Sequence, residues 1–333
     1  MGIASAPTTS HSVRLLRFVR EQIQTAIVTG ANSGLGKEST YHLLQHGAHV
    51  VVACRNVKKG LLAIDDLKSR LPVEESAQWE YDVIALDLSS PRSIQQFVTE
   101  LNSKLEHRAR VAQRSGPPLA VDILMLNAAV FHVPFTVTDF GVEQHFAVNH
   151  VGNHMLARLL VQNLESAVEL HGVATVTSVS STAANAASSV GLSLSEINNH
   201  DGYNRPMWYA TSKLANAAFT KKLATLWKVS TYFLPNRVTP PFPRNRAAQR
   251  GSIVVGCSLS APCHVQDRGI LVNLARPGSV HTGITRNLNP FLNFFVPYLP
   301  AMGIQWTVDQ AVVTQVSALI HPCISLMNLS ILP

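Results

Sequence analysis

Between residues 24 and 180, short apolar runs alternate with helical patterns, and that alternation leaves few folds open. "TAIVTG" (25–30), "AHVVVAC" (48–54), "DVIALDL" (82–88), "VDILMLN" (121–127) and "VATVTSVS" (173–180) read as strands. Helical stretches fall between them: one ended by Gly47, one from Asn56 to Leu71, one opened by Pro91, and one long helix across 140–164. The strands are apolar almost throughout rather than every second residue, so both of their faces are expected to be buried. The pattern predicts an α/β fold: a doubly wound parallel sheet with helices on both faces. It resumes with a helix over 207–228 and a strand in "GILVNLA" (269–275).

A chain of 333 residues with 46% hydrophobic and 14% charged side chains can bury a large core, and disorder is disfavoured. The net charge of +7 would suit an anionic partner, but the basic residues are scattered, with no dense run and no aromatic platform. Nucleic acid is therefore not expected as a partner. Cys54, Cys257, Cys263 and Cys323 show neither metal-ligand nor disulfide spacing, which points to a reducing, cytoplasmic compartment. No apolar run reaches the roughly 18 residues of a membrane span, and peripheral membrane contact stays compatible. Met1-Gly2 begins a myristoylation pattern, which Ala6 breaks where serine or threonine is required.

Residues 1–22 read as an N-terminal extension, and 23–320 as a single domain. Within it, 230–268 carries Pro235, Pro240, Pro241, Pro243 and Pro262 without periodicity, and is predicted to be a disordered insertion. Residues 321–333 form an atypical tail.

The turn "TGANSGLG" (29–36) stands between the first strand and the first helix. Gly30 permits a sharp turn. Gly34 and Gly36, with Asn32, Ser33 and Leu35 between and beside them, let backbone N–H groups approach a pyrophosphate at a helix N-terminus. After the second strand, where an acid would bond a ribose 2′-hydroxyl, stand Cys54 and Arg55. A guanidinium suits a 2′-phosphate, so NADP(H) is favoured over NAD(H). Asp87 and Leu88 end the third strand, where they can meet an adenine.

Tyr209 precedes Lys213 by four residues, so both lie on one helix face. With "TGANSGLGKES", "ACRNVKKG", "LNAAV", "FAVNHVG" and "SVSS" in order ahead of "YATSKLAN", the chain resembles the short-chain dehydrogenase/reductase family. The nearest likeness is to its retinol dehydrogenase and WW-domain-containing oxidoreductase branch, without WW domains. The resemblance covers roughly 23–228 and 269–320. It implies a Rossmann-type sheet, Tyr209 as general acid/base, Lys213 as its partner, and Ser181 bonding the substrate oxygen. It also implies Asn149 in a proton relay, Asn127, Ala128 and Ala129 beside the adenine ribose, and Pro277, Gly278, Val280 and Thr282 against the nicotinamide. The chemistry agrees. Tyrosine ordinarily titrates near 10, and acting near neutrality requires about 4 kcal/mol of help, which a nearby ammonium can supply.

His150 and His154 have the i, i+4 spacing of a metal pair, but Val151 replaces the glutamate of H-E-x-x-H, and helix packing is expected instead. Phe291, Leu292, Phe294, Phe295 and Tyr298 suggest an apolar lid over a lipophilic carbonyl or alcohol. Two function classes follow. One is an NADP(H)-dependent oxidoreductase acting on that substrate. The other is a non-catalytic dinucleotide-binding protein, or an inactive divergent gene product, whose C-terminal half does not close on substrate.

Overall fold

The computed structural model describes residues 25–113, 119–187, 196–227, 231–233 and 269–276. Seven strands form one sheet: β1 (Thr25–Thr29), β2 (His49–Cys54), β3 (Tyr81–Ala85), β4 (Ile123–Leu126), β5 (Ala174–Val179), β6 (Thr231–Phe233) and β7 (Ile270–Ala275). Their order is β3-β2-β1-β4-β5-β7-β6, and every pairing is parallel. Between the strands run α1 (Gly34–Gln45), α2 (Val57–Lys68), the short α3 (Val73–Ser76), α4 (Pro91–Val111), α5 (Gln144–Phe146), α6 (Gly152–Leu159), α7 (Val161–His171), α8 (Ala184–Ala187) and α9 (Arg205–Leu226).

The uniform apolarity of the strands has the expected cause. β1, β2, β4, β5 and β7 are buried along their whole length. Alternate residues feed two separate cores. Ile27, Val51, Leu124 and Val176 pack with Phe97 and Leu101 of α4 and Leu156 of α6 on one face. Ala26, Val28, Val50 and Met125 pack with Leu43 and Leu44 of α1 and Ile64 of α2 on the other. Each such large side chain, buried fully, contributes about 1.5–3 kcal/mol. At the β2–β3 edge the buried His49 places Nε2 3.0 Å from Asp82 Oδ2, and Lys104 Nζ donates to Asp82 Oδ1 at 3.0 Å.

Side-chain caps set the helix starts. Asn56 Oδ1 accepts the Lys59 N–H at 3.0 Å and opens α2; Asn204 Oδ1 accepts the Met207 N–H at 3.1 Å and opens α9. Gly47 ends the first helical stretch at φ +82°, where its sequence position placed it.

Two elements differ from the sequence reading. The single helix expected across 140–164 is instead α5, a π-helical turn over Ala147–Val151, α6, a break at Leu160 and α7. Thr231–Phe233, at the head of the stretch read as an insertion, lies in the sheet because β7 offers it a parallel partner. Residues 234–268, the N-terminal extension and the tail lie outside the described residues. Among the described residues no helix is long and apolar enough to cross a membrane.

Candidate active site

The strand order reverses between β1 and β4, and a cleft opens at the C-terminal ends of the strands there. Its volume is about 1410 Å3. One end is formed by the turn after β1, the other by the segment after β5 and the face of α9.

The turn after β1 is built around Thr29. Its Oγ1 donates to Met125 O (3.2 Å) and accepts the N–H groups of Asn127 and Ala128, each at 2.9 Å, while Asn127 Nδ2 donates to Thr29 O at 2.9 Å. These bonds lock the turn after β4 against the turn after β1. Gly30 sits at φ +68°, and Gly36 faces it so closely that a Cβ would lie 2.5 Å from Gly30 O and from Asn127 Nδ2. α1 begins with Ser33 extended and no side-chain cap, and its first turn holds no acid. The positive end of α1 therefore opens on the cleft, lined by Gly30, Asn32, Ser33, Gly34 and Leu35, in an arrangement that fits a pyrophosphate.

Arg55 lines the same end, as do Lys59 and Lys37. Lys37 pairs with Asp66, which also takes Arg70 (3.0 Å), and these cations hold the Asp66 carboxyl below its ordinary value. Among the described residues no carboxylate pairs with Arg55 or Lys59. This end of the cleft therefore carries uncompensated positive charge, and the residues present fit a phosphorylated dinucleotide. Leu88 lines the wall, whereas Asp87 Oδ1 accepts the N–H (2.9 Å) and hydroxyl (2.6 Å) of Ser89. Asn127, Ala128 and Ala129 line the cleft across from the turn.

At the other end Tyr209, Lys213 and Ser181 come together. Tyr209 lies beside Ser181 in the cleft wall, and its ring meets Phe131 edge to face at 4.8 Å. Burial pushes the phenol up to about 12, against the pull of Ser181. Lys213 is 2% exposed; its Nζ donates to Val179 O at 2.8 Å and lies 5.8 Å from the Tyr209 ring centroid. Burial alone pushes its amine down to about 7. Tyr209, Lys213 and Ser181 thus bring a phenol, an amine and a hydroxyl together at this end of the cleft. Ser180, which sequence reasoning passed over, fixes the lysine's backbone: its Oγ donates to Lys213 O at 2.8 Å.

Asn149 lies beneath the cleft at 0% exposure, in the π-helical turn. Its Oδ1 accepts the Val130 N–H (2.7 Å), and its Nδ2 donates to Val130 O (3.0 Å) and Ser212 Oγ (2.9 Å). His150 and His154 pack their rings around Phe219, and burial pushes His150 down to about 4. Pro277, Gly278, Val280 and Thr282, and the aromatic residues 291–298, lie outside the described residues.

A family model described as short chain dehydrogenase matches residues 24–231, more than half of the chain. The chain belongs to the short-chain dehydrogenase family. Among relatives, mouse retinol dehydrogenase 14 is 34% identical over 206 residues, which are 60% of this chain and 56% of that protein. The WW domain-containing oxidoreductase of Drosophila melanogaster is 32% identical over 233 residues, 67% of this chain and 51% of the relative. The chain thus spans little more than half the length of these short-chain dehydrogenase relatives. A short-chain type dehydrogenase/reductase from Mycobacterium marinum shares the fold, with a TM-score of 0.57, 15% identity and 91% of each chain covered.

Proposed function

We propose that this short-chain dehydrogenase is an NADP(H)-dependent oxidoreductase that interconverts a small lipophilic carbonyl compound and its alcohol. The observation that carries the reading is that Tyr209, Ser181 and the buried Lys213 line one end of a cleft whose other end is an uncapped helix N-terminus.

The first turn of α1 and Gly30–Gly36 hold the pyrophosphate. Arg55 holds the 2′-phosphate through charge-assisted bonds, and Lys59 adds a second positive charge beside it. When bound, the nicotinamide supplies or accepts the hydride. Ser181 donates a hydrogen bond to the substrate oxygen and fixes it beside Tyr209. In the reducing direction Tyr209 Oη gives its proton to that oxygen; a phenol held up near 12 keeps this proton until the oxygen develops charge. Lys213, once protonated, stabilises the phenolate that remains. Asn149 holds Val130 and Ser212 and so sets the height of the cleft floor under Tyr209.

The test is NADPH consumption with a panel of apolar aldehydes and ketones, wild type against Tyr209→Phe. Loss of turnover by about 100-fold or more in the variant, with NADPH still bound, is the expected outcome. NADPH binding without Tyr209-dependent turnover would assign the chain to the non-catalytic dinucleotide-binding class. Arg55→Asp should shift preference toward NADH; an unchanged ratio of the two affinities would remove the 2′-phosphate assignment.

A further inference from the structure

Beyond the catalytic residues, the segment after β4 forms a two-residue arch pinned at both ends. At Val130 both backbone groups are taken by Asn149. At Val133 the N–H reaches His145 Nε2 at 3.4 Å, and the carbonyl lies 3.2 Å from the Tyr203 hydroxyl. The pins at Val133 rest on a buried cluster. His145 Nε2 accepts from Val133, so the ring proton is on Nδ1, facing Glu143 Oε1 at 2.7 Å; the Tyr203 hydroxyl donates to the same oxygen at 2.7 Å. Glu143 and His145 are both 0% exposed. Burial opposes the charge on Glu143, yet the bonds from His145 and Tyr203 hold its carboxyl below its ordinary value.

Between the pins stand Phe131 and His132. His132 is held at φ +57°, a left-handed conformation that a histidine adopts at a cost of about 1 kcal/mol or more and that persists where its surroundings over-determine it. The strained residue turns the chain so that the Phe131 ring lines the cleft and lies edge to face on the Tyr209 ring. The Phe131 ring therefore forms a wall of the cleft directly against the Tyr209 ring.

We propose that Phe131 is the specificity-determining residue of this site: a rigid aromatic wall that admits carbonyl compounds unbranched next to the C=O group and excludes branched ketones. The inference rests on the function proposed above. A carbonyl compound whose oxygen sits within about 3 Å of Tyr209 Oη would lay a substituent along the Phe131 ring, which shares the cleft wall with Tyr209. A flat, unbranched chain gains apolar contact there. A branched carbon meets an arch held at the Val130 N–H, the Val130 carbonyl and the Val133 N–H, which leave it little room to yield.

The experiment separates this inference from the function beneath it by reading binding as well as turnover. Dissociation constants of a straight-chain aldehyde (nonanal) and a branched ketone (2,4-dimethyl-3-pentanone) are measured on the NADPH-loaded Tyr209→Phe protein, with and without Phe131→Ala. Phe131→Ala should improve the ketone-to-aldehyde affinity ratio about tenfold, the range expected when a pocket gains or loses a few methylenes, while the Kd for NADPH stays within twofold. With Tyr209 intact, the same shift should appear in KM rather than in kcat. An unchanged ratio, or no binding of either compound, overturns the assignment of Phe131. A shifted ratio in a protein whose wild type has no Tyr209-dependent turnover upholds Phe131 and overturns the oxidoreductase reading instead.

Discussion

Asn149 and Val130 hold each other by two hydrogen bonds: Oδ1 accepts the Val130 N–H at 2.7 Å, and Nδ2 donates to its carbonyl at 3.0 Å. The amide thereby acts as a one-residue strand partner for a loop that has none. It is reached through a π-helical turn, whose extra residue carries Asn149 inward. Asn149→Ala would leave both Val130 groups and Ser212 Oγ buried without it. The expected cost is about 2–3 kcal/mol, checked by urea denaturation; Asn149→Asp, which sets a buried carboxylate oxygen against the Val130 carbonyl, should cost at least as much.

Gly36→Ala is expected to weaken dinucleotide binding while leaving the sheet folded. A Cβ there would lie 2.5 Å from Gly30 O and from Asn127 Nδ2, and neither atom can retreat without opening the Thr29 network. Calorimetric titration with NADPH should show at least a tenfold weaker Kd, equivalent to about 1.4 kcal/mol, with the far-ultraviolet dichroism spectrum unchanged.

Lys213→Met should stabilise the cofactor-free protein while removing turnover. The folded amine sits near 7, below its ordinary value of 10.5, so between these limits the unfolded chain binds a proton that the folded chain does not. The penalty is complete below about 7 and fades as pH rises toward 10.5. At neutral pH the variant should gain about 1 kcal/mol, the lost bond to Val179 O offsetting part of the relief. Thermal denaturation from pH 6 to pH 10 checks it: the wild type should approach the variant as pH rises, and a constant gap would contradict the burial argument.

Asp82→Asn should destabilise the β2–β3 edge in a pH-dependent way. The bond from His49, against the opposing effect of burial and with help from Lys104, holds the Asp82 carboxyl at about 2. A carboxyl lowered on folding contributes stability that is complete above its ordinary value of 3.8 and is lost as pH falls toward 2. The pair is partly exposed, so about 1 kcal/mol is expected at pH 7. Denaturant midpoints of the two proteins should converge between pH 4 and pH 2.

The sheet was legible because local pattern and long-range burial agree there. "HVVVAC" is buried at every position and apolar at all but His49 because helices cover both faces, and Gly47 stops the helix where a left-handed residue is needed. The cradle was legible because its glycines cluster in one strand-to-helix turn, although the atoms that crowd Gly30 and Gly36 include Asn127 and Ala128 from the turn after β4. What the sequence hid depends on partners far along the chain. The π-helical turn at Ala147–Val151 answers to Val130 and Ser212, and a 3.6-residue period averages over it. Glu143, His145 and Tyr203 read singly as a cap, a ring and a loop aromatic; only the fold joins residues 60 apart into one cluster. β6 is Thr-Tyr-Phe, strand-favouring in type but too short at three residues to show a period.

The placement of β6 also fixes an order of assembly. β6 pairs with β7 and with no other described strand, although it precedes β7 by 36 residues. The chain leaving α9 therefore steps over one vacant place beside β5, and β7 later enters that place from between. Until Ile270–Ala275 has left the ribosome, β5 ends the sheet with a bare edge and Thr231–Phe233 has nothing to join. The half-built protein would carry an open parallel edge flanking Ser181, so among the described strands the side of the sheet next to the Tyr209–Ser181 end of the cleft is the last to be sealed during synthesis.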